Sequence, residues 1–479
     1  MTGSADVEYA KIATFDDADS VLPHDEMMEP EENGHTTMVH AIRNDIPFPI
    51  SRPPTKYRDA IYGLFFLLHF IGILLLTLIE QKSLKHAVLN FERVGSWASI
   101  VMNLTLLSTL TGAGAFFLLK HPDARAFMVS YGILFSQILK ICMGNILLIM
   151  RSKFSLLGLL FIFSAILDGG RYRPAKTAQG FTNTLLQLSL DVNAVYGIGL
   201  VICCIGIIAA QTCVLLWWAS FYIGLLATVS PAYVAVMTVV MMLSLYWTAQ
   251  FFHHFVGFVI GGCTLWYFAK DDNEPIDRAN RILLYTQCAL TTNFGSLAKA
   301  ALFIMPSQFI LHVHAWLNRN FSASSLCMRC LSCCAPLGGS MLRFARRFNK
   351  LSICSMAVYG RTLLRTADDQ LMYYPGTLKT SQEEYTSYSL GCISTCLAGL
   401  ISIIFGLCAE SKELYSWPLF FCMCFYLSYF GVNIALHVYS SAVDAFIIAA
   451  AINPRQFAKE NQLVLLRFMR TGDPDLEPL

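Results

Sequence analysis

The chain has 479 residues, of which 55% are apolar and only 14% charged, with a formal net charge of +2; soluble globular domains carry about 25% charged residues. That balance excludes a disordered scaffold, a nucleic-acid binder and an ordinary cytosolic enzyme. It predicts an all-α, polytopic helical membrane protein.

Residues 1–50 hold eleven acids, from Asp6 to Asp45, against Lys11 and Arg43, a net −9 that leaves +11 on the remainder. The segment 1–56 reads as a disordered, acidic, cytosolic head. The first apolar stretch begins at Ala60, behind this head. No cleavable signal peptide is therefore expected, and the first span acts as its own insertion signal. A transmembrane body over 57–452 and a cytosolic tail over 453–479 complete the expected organisation.

Crossing a hydrocarbon core of about 30 Å takes about 20 apolar residues. Candidates occur at 60–79, 97–119, 127–150, 154–168, 197–227, 232–268, 283–317, 351–365, 387–409 and 415–450, ten in all. The stretches 154–168 and 351–365 are short and suit re-entrant or tilted segments. Those at 232–268 and 415–450 exceed one bilayer thickness. Neither has a charged or Pro-Gly turn at its centre, so each is expected to be one long helix. Ahead of the fifth span, Phe181, Leu185, Leu188, Val192 and Val195 recur at spacings of 4, 3, 4 and 3. This predicts an amphipathic helix within 175–196 lying on the inner leaflet, with Arg171, Arg173 and Lys176 facing anionic headgroups.

After the seventh span, 318–350 contains Arg319, Arg329, Arg343, Arg346, Arg347 and Lys350 without an acid. It also holds the sequon Asn320-Phe321-Ser322 and the cluster Cys327, Cys330, Cys333 and Cys334. Ten spans with a cytosolic head place it outside, against the positive-inside rule. Outside, the four cysteines would form disulfides; inside, they would be palmitoylated or bind a metal, although a second ligand pair is lacking. Most of the sixteen cysteines are scattered singly in apolar runs and read as small hydrophobes.

Ionisable groups inside a span are costly and mark function by default. Here they are His69, Lys140, His253, His254, Lys299, His437 and Asp444. Lys140 and Lys299 read as snorkelling or pairing with helix carbonyls, and Asp168 and Asp191 as interfacial. The densest polar cluster runs from Tyr246 to His254 in the sixth span. Trp247, Gln250 and His254 fall at i, i+3 and i+7, with Tyr246, Gln250 and His253 on an overlapping stripe. An indole, an amide and an imidazole gathered at the bilayer centre predict a cavity; interhelical hydrogen bonding is the alternative.

Such a cavity suits a quaternary ammonium ion, which cannot donate ordinary hydrogen bonds and binds aromatic faces instead. Each desolvated cation–π contact contributes about 2 kcal/mol. Choline's hydroxyl would need a polar partner, for which Gln250 and Asn293 are candidates. Trp217, Trp218, Trp266 and Trp417 lie nearer span ends and read as belt residues. Two other classes compete. A lipid-modifying membrane enzyme would rest on His253-His254 and His312-Val313-His314, which supply a metal poorly. The other is a channel or a scaffold without transport; a channel would be expected to show charge rings or a filter loop, and neither is visible.

The sixth span, with Tyr246-Trp247-Thr248-Ala249-Gln250, Gly257 and Trp266-Tyr267-Phe268, resembles a helix of the choline transporter-like protein family. The next span, with Phe294-Gly295-Ser296 and Lys299, resembles the family's Gly-Ser/Thr-rich helix. Ala357-Val358-Tyr359-Gly360-Arg361, continuing to Asp369, is similar to its Ala-Ile-Tyr-Gly-Lys pattern, and Val443-Asp444-Ala445 to its last span. The first loop, 80–96, is short as in fungal members; position 254 is His where the family often has Asn; and 453–479 departs from the pattern. The resemblance implies about ten spans and makes 57–452 a transporter domain of the plasma membrane. It implies no enzyme activity, cofactor or metal. Its substrate would be choline or a related ammonium ion such as ethanolamine, moved by alternating access among membrane lipids. Substrate-binding residues would be Tyr246, Trp247, Gln250, His254, Asn293 and Phe294, with His253 or His254 exchanging protons. Gly112, Gly114, Gly257, Gly261, Gly262 and Gly295 would let helices pack closely and slide.

Overall fold

The computed structural model describes residues 56–79, 91–149, 155–228, 231–269, 278–320, 344–345, 347–373, 381–408 and 417–452, with Phe457 and Val464. They belong to one unit, Phe48–Leu479. The readings made for the acidic head, the cysteine cluster with its sequon, and nearly all of the tail fall outside these residues.

Apolar runs leave the backbone no water to bond to, so it closes its hydrogen bonds within helices. Twelve are present among the described residues: α1 Ala60–Ile79, α2 Phe91–Leu118, α3 Pro122–Ile149, α4 Ser155–Thr177, α5 Gln179–Thr228, α6 Pro231–Ala269, α7 Arg278–Leu290, α8 Phe294–Asn320, α9 Leu351–Tyr359, α10 Leu363–Tyr373, α11 Ser381–Cys408 and α12 Trp417–Ile452. Six of them, α3, α5, α6, α8, α11 and α12, are long and apolar enough to cross a membrane, and α1, α2 and α4 carry shorter apolar stretches. The fold is that of an all-α multi-pass membrane protein.

α6 and α12 lie at the centre, each one unbroken helix as expected. Phe255 through Trp266 on α6 and Ser440 through Ala450 on α12 are buried throughout. α1 and α3 lie at the edge, turning Leu64, Phe65 and Leu68, and Phe127, Phe135 and Ile138, outward. Small residues set the approaches. A methyl group added at Gly261 would stand 2.3 Å from Cys354 Sγ, and one at Gly112 3.1 Å from Ala435 Cβ. Gly114 departs from the expected sliding face: it is exposed and meets nothing within 4 Å.

Three elements differ from the sequence reading. The predicted amphipathic helix is the first part of α5, set off by Gly197 at φ 52. Its stripe of Phe181, Leu185, Leu188 and Val192 is buried in the main core rather than laid on lipid. The bundle supplies the apolar partner that an isolated amphipathic helix would seek in the bilayer. The stretch 283–317 is two helices, because Thr291, Thr292 and Asn293 turn between α7 and α8. There the Asn293 amide donates back to Cys288 O at 2.9 Å, a five-residue step that interrupts the α-helical ladder. The stretch 351–365 is likewise divided: α9, almost wholly buried, ends at Gly360 in the left-handed region, φ 57, and α10 follows.

Candidate functional site

α7 and α8 run antiparallel along α6. A methyl at Gly262 would touch the Tyr285 ring, Phe251 lies 5.1 Å from Phe294, and the Trp247 indole donates to Ala298 O at 2.9 Å. The Thr291–Asn293 break therefore faces α6 near Phe251, at the middle of its apolar stretch Val239–Phe268. Interrupted helices at mid-membrane expose backbone and side-chain polar groups where transporters hold their ligands.

One face of α6 meets α1 and α8 through rings. Phe66 stacks on Phe251 at 4.6 Å and meets the Trp247 edge at 5.3 Å, while His69 stacks on Trp247 at 5.1 Å. His69 is fixed between Phe66 O at 2.8 Å and Ser244 Oγ at 2.9 Å. Both Trp247 and Phe251 are thus seated against neighbours. The open space lies on the other side of Phe251. A cavity of about 460 Å³ separates α5, α6 and α7, with Phe251, Phe252 and Phe255 as one wall and Gly199, Cys203 and Ile207 facing them.

A second stripe of α6 carries Tyr246, Gln250 and His254 at i, i+4 and i+8. Tyr246 Oη, Gln250 Oε1 and His254 Nε2 are buried without a hydrogen-bond partner. In the break, Asn293 is fully buried and neither amide atom of its side chain has a partner. Buried polar atoms are normally satisfied, and leaving one unpaired costs about 1–3 kcal/mol. Such a group of orphans on α6 and at the break marks a place for water or a polar ligand.

On the third face, the His253 and His437 rings stack at 3.4 Å between centroids, and His254 lies 5.5 Å from His253. The Asn433 amide donates to His253 Nδ1 at 3.3 Å, and Ser394 Oγ donates to Asn433 Oδ1 at 3.4 Å. Gly257 leaves room for this group, since a methyl there would stand 3.2 Å from His437 Nε2. Farther along, Lys350 Nζ bridges Asp444 and Ser387 at 2.9 Å each.

Charges within the membrane body are paired across helices. Lys299 bonds Asp59 Oδ1 at 2.9 Å, and Ser296 Oγ donates to Asp59 Oδ2 at 2.7 Å. The residues preceding α1 enter the same region: the Arg58 amide donates to Thr292 O at 2.7 Å and its Nε to Gly360 O at 3.1 Å. Lys140 pairs with Asp168 at 2.5 Å, and Asp168 is buried. The snorkelling assigned to the two lysines is corrected accordingly. In hydrocarbon a carboxylate on another helix compensates the ammonium better than a helix carbonyl already bonded. Trp218 and Trp266 are also buried, not belt residues. Trp218 donates to Met241 O, and the Arg281 guanidinium lies 4.2 Å over the Trp266 ring.

The structure thus gathers Tyr246, Gln250 and His254 on one stripe of α6 and brings Trp247 and, from α8, Phe294 against Phe66, while His253 turns to α12. Sequence reasoning missed Asp59, Phe66 and Asn433. His69 and His437 carried a signal, being ionisable in apolar runs, but nothing in the sequence tied them to Trp247 or His253. Among the described residues no His, Cys, Asp or Glu side chains are grouped so as to hold a metal ion.

Residues 179–455, more than half of the chain, match the family model described as plasma-membrane choline transporter. No curated protein matches the chain. The matched segment runs from the start of α5 to just past the end of α12. It contains the orphan stripe, the helix break and the histidine group. On that match the chain belongs to the plasma-membrane choline transporter family.

Proposed function

We propose that this transporter moves choline, or a related cation such as ethanolamine, across the plasma membrane by alternating access. The observation that carries the reading is the set of buried, unpaired polar atoms on Tyr246, Gln250, His254 and Asn293, beside the rings of Trp247, Phe251 and Phe294. An ammonium ion needs ring faces to replace its water, and its hydroxyl or amine needs one of those orphan atoms. In the closed arrangement Trp247 is occupied by His69 and Ala298 O. Opening would withdraw α1, releasing the indole face to substrate. The Asp59–Lys299 pair holds the start of α1 on α8, the two Arg58 bonds tie it to Thr292 and Gly360, and together they act as the latch of that movement.

Purified protein in vesicles is expected to take up labelled choline saturably, with competition by ethanolamine. Trp247→Ala should raise the apparent KM by about 30-fold, the equivalent of one desolvated cation–π contact of about 2 kcal/mol. Absence of uptake by the wild type, or a Trp247→Ala variant with unaltered KM, overturns the reading.

Proton exchange fits the histidine group, because an imidazole changes charge between about pH 5 and 8 without special help. His253 and His437 share one stack, with Asn433 bonded to it, and Asp444 and Lys350 are the nearby charged groups. Uptake is expected to rise with external pH, and His437→Gln should flatten that dependence while leaving binding of choline at constant pH in place. An unaltered pH profile would remove the histidines from coupling.

A further inference from the structure

The 460 Å³ cavity between α5, α6 and α7 is a poor home for the transported cation. Its walls are hydrocarbon apart from Cys203 and Thr286, which face each other at 3.8 Å. Its rim lies on the outer surface: Ile202, Leu283 and Leu290 line it and are exposed, and Ile198, Val201 and Ile205 continue the apolar belt beside it. In a membrane-spanning bundle that belt is wetted by lipid, so acyl chains rather than hydrated ions reach the opening. The groove follows α5 from Gly199 to Ala210 and α7 from Ile282 to Leu290. At about 1.5 Å per residue, it runs about 12–17 Å along the helices, close to the depth of one leaflet of a core about 30 Å thick. At its α7 N-terminal end, one residue before the lining Ile282, the Arg281 guanidinium lies over the Trp266 ring and takes no part in the lining.

We propose that this cavity is a binding site for one acyl chain of a membrane phospholipid. Phe251 forms part of its inner wall, and the other side of the same ring stacks on Phe66 and meets Phe294. A bound chain therefore backs the ring cluster that holds Trp247. Binding does not depend on what the protein transports; the link through Phe251 rests on the transporter reading above.

The test uses the full chain in vesicles containing a diacyl phospholipid with a photoreactive group midway along one acyl chain. After irradiation, adducts are expected to concentrate in peptides covering 199–210 and 282–290. Gly206→Leu should lose most of that label, because position 206 lines the cavity and a Cβ added there meets no protein atom within 4 Å, so the branched end can fill the groove. Folding of the variant is checked by its unchanged thermal transition. Label spread evenly over the exposed faces of α1 and α3, label indifferent to Gly206→Leu, or label taken up only from a photoreactive sterol would each overturn the site. Choline uptake measured in the same vesicles separates the two parts. Loss of label with unaltered uptake retains the site and removes the link through Phe251, whereas absent uptake in the wild type leaves the labelling result standing.

Discussion

Asp59→Asn is expected to abolish uptake and lower stability by about 3–5 kcal/mol, the cost of leaving one member of a buried ion pair without its partner. Lys299 has only 8% of its side chain exposed and Asp59 13%, so the lysine cannot turn to water when the carboxylate is lost. The Tyr62 ring, 5.0 Å from its ammonium, offers a second but weaker contact. Neutralising both members in Asp59→Asn/Lys299→Met should recover much of the stability, because no uncompensated charge then remains in the bundle. Uptake should stay low in the double variant if the pair is the latch that α1 opens and closes. Thermal unfolding in detergent and uptake in vesicles read the two effects apart. A single variant as stable as wild type would show that the pair is not closed in the membrane.

Gly295→Ala is expected to be nearly as damaging, although it adds a single methyl. Its carbon would stand 2.3 Å from Asp59 O and 2.6 Å from Arg58 O. Both obstacles are backbone, so no rotamer change relieves them, and the start of α1 must leave α8. Overpacking costs about 1–3 kcal/mol where side chains give way, and more where they cannot. The variant should lose uptake and unfold at lower temperature, while Gly114→Ala, facing open space, should match wild type in both. Normal uptake by Gly295→Ala would mean that α1 does not rest on α8 in the transporting protein.

The family match begins at residue 179, yet Asp59, just ahead of α1, and Phe66 and His69 on it pack against α6 and α8. The matched body holds the buried, unpaired polar atoms, and the unmatched first helix covers Trp247. A chain lacking α1 is for that reason expected to expose the aromatic cluster to lipid rather than to substrate.

The membrane class, the unbroken α6 and α12, and the polar cluster from Tyr246 to His254 within an apolar run were legible in the sequence, because each depends on properties local to one segment. An apolar run long enough to cross hydrocarbon must close its own backbone hydrogen bonds, and a polar group within it must be compensated somewhere. Which partner compensates it was not legible. Lys299 finds Asp59 from 240 positions away, and His253 meets His437 across 184. The break at Thr291–Asn293 was hidden as well, since Thr and Asn occur freely within helices and only the packing around them selects the turn. Helix identity is decided by the composition of a single stretch. The neighbours of Trp247, the orphaned amide atoms of Asn293 and the side on which the cavity lies are decided by how the helices share one volume, and no local pattern of residues encodes that.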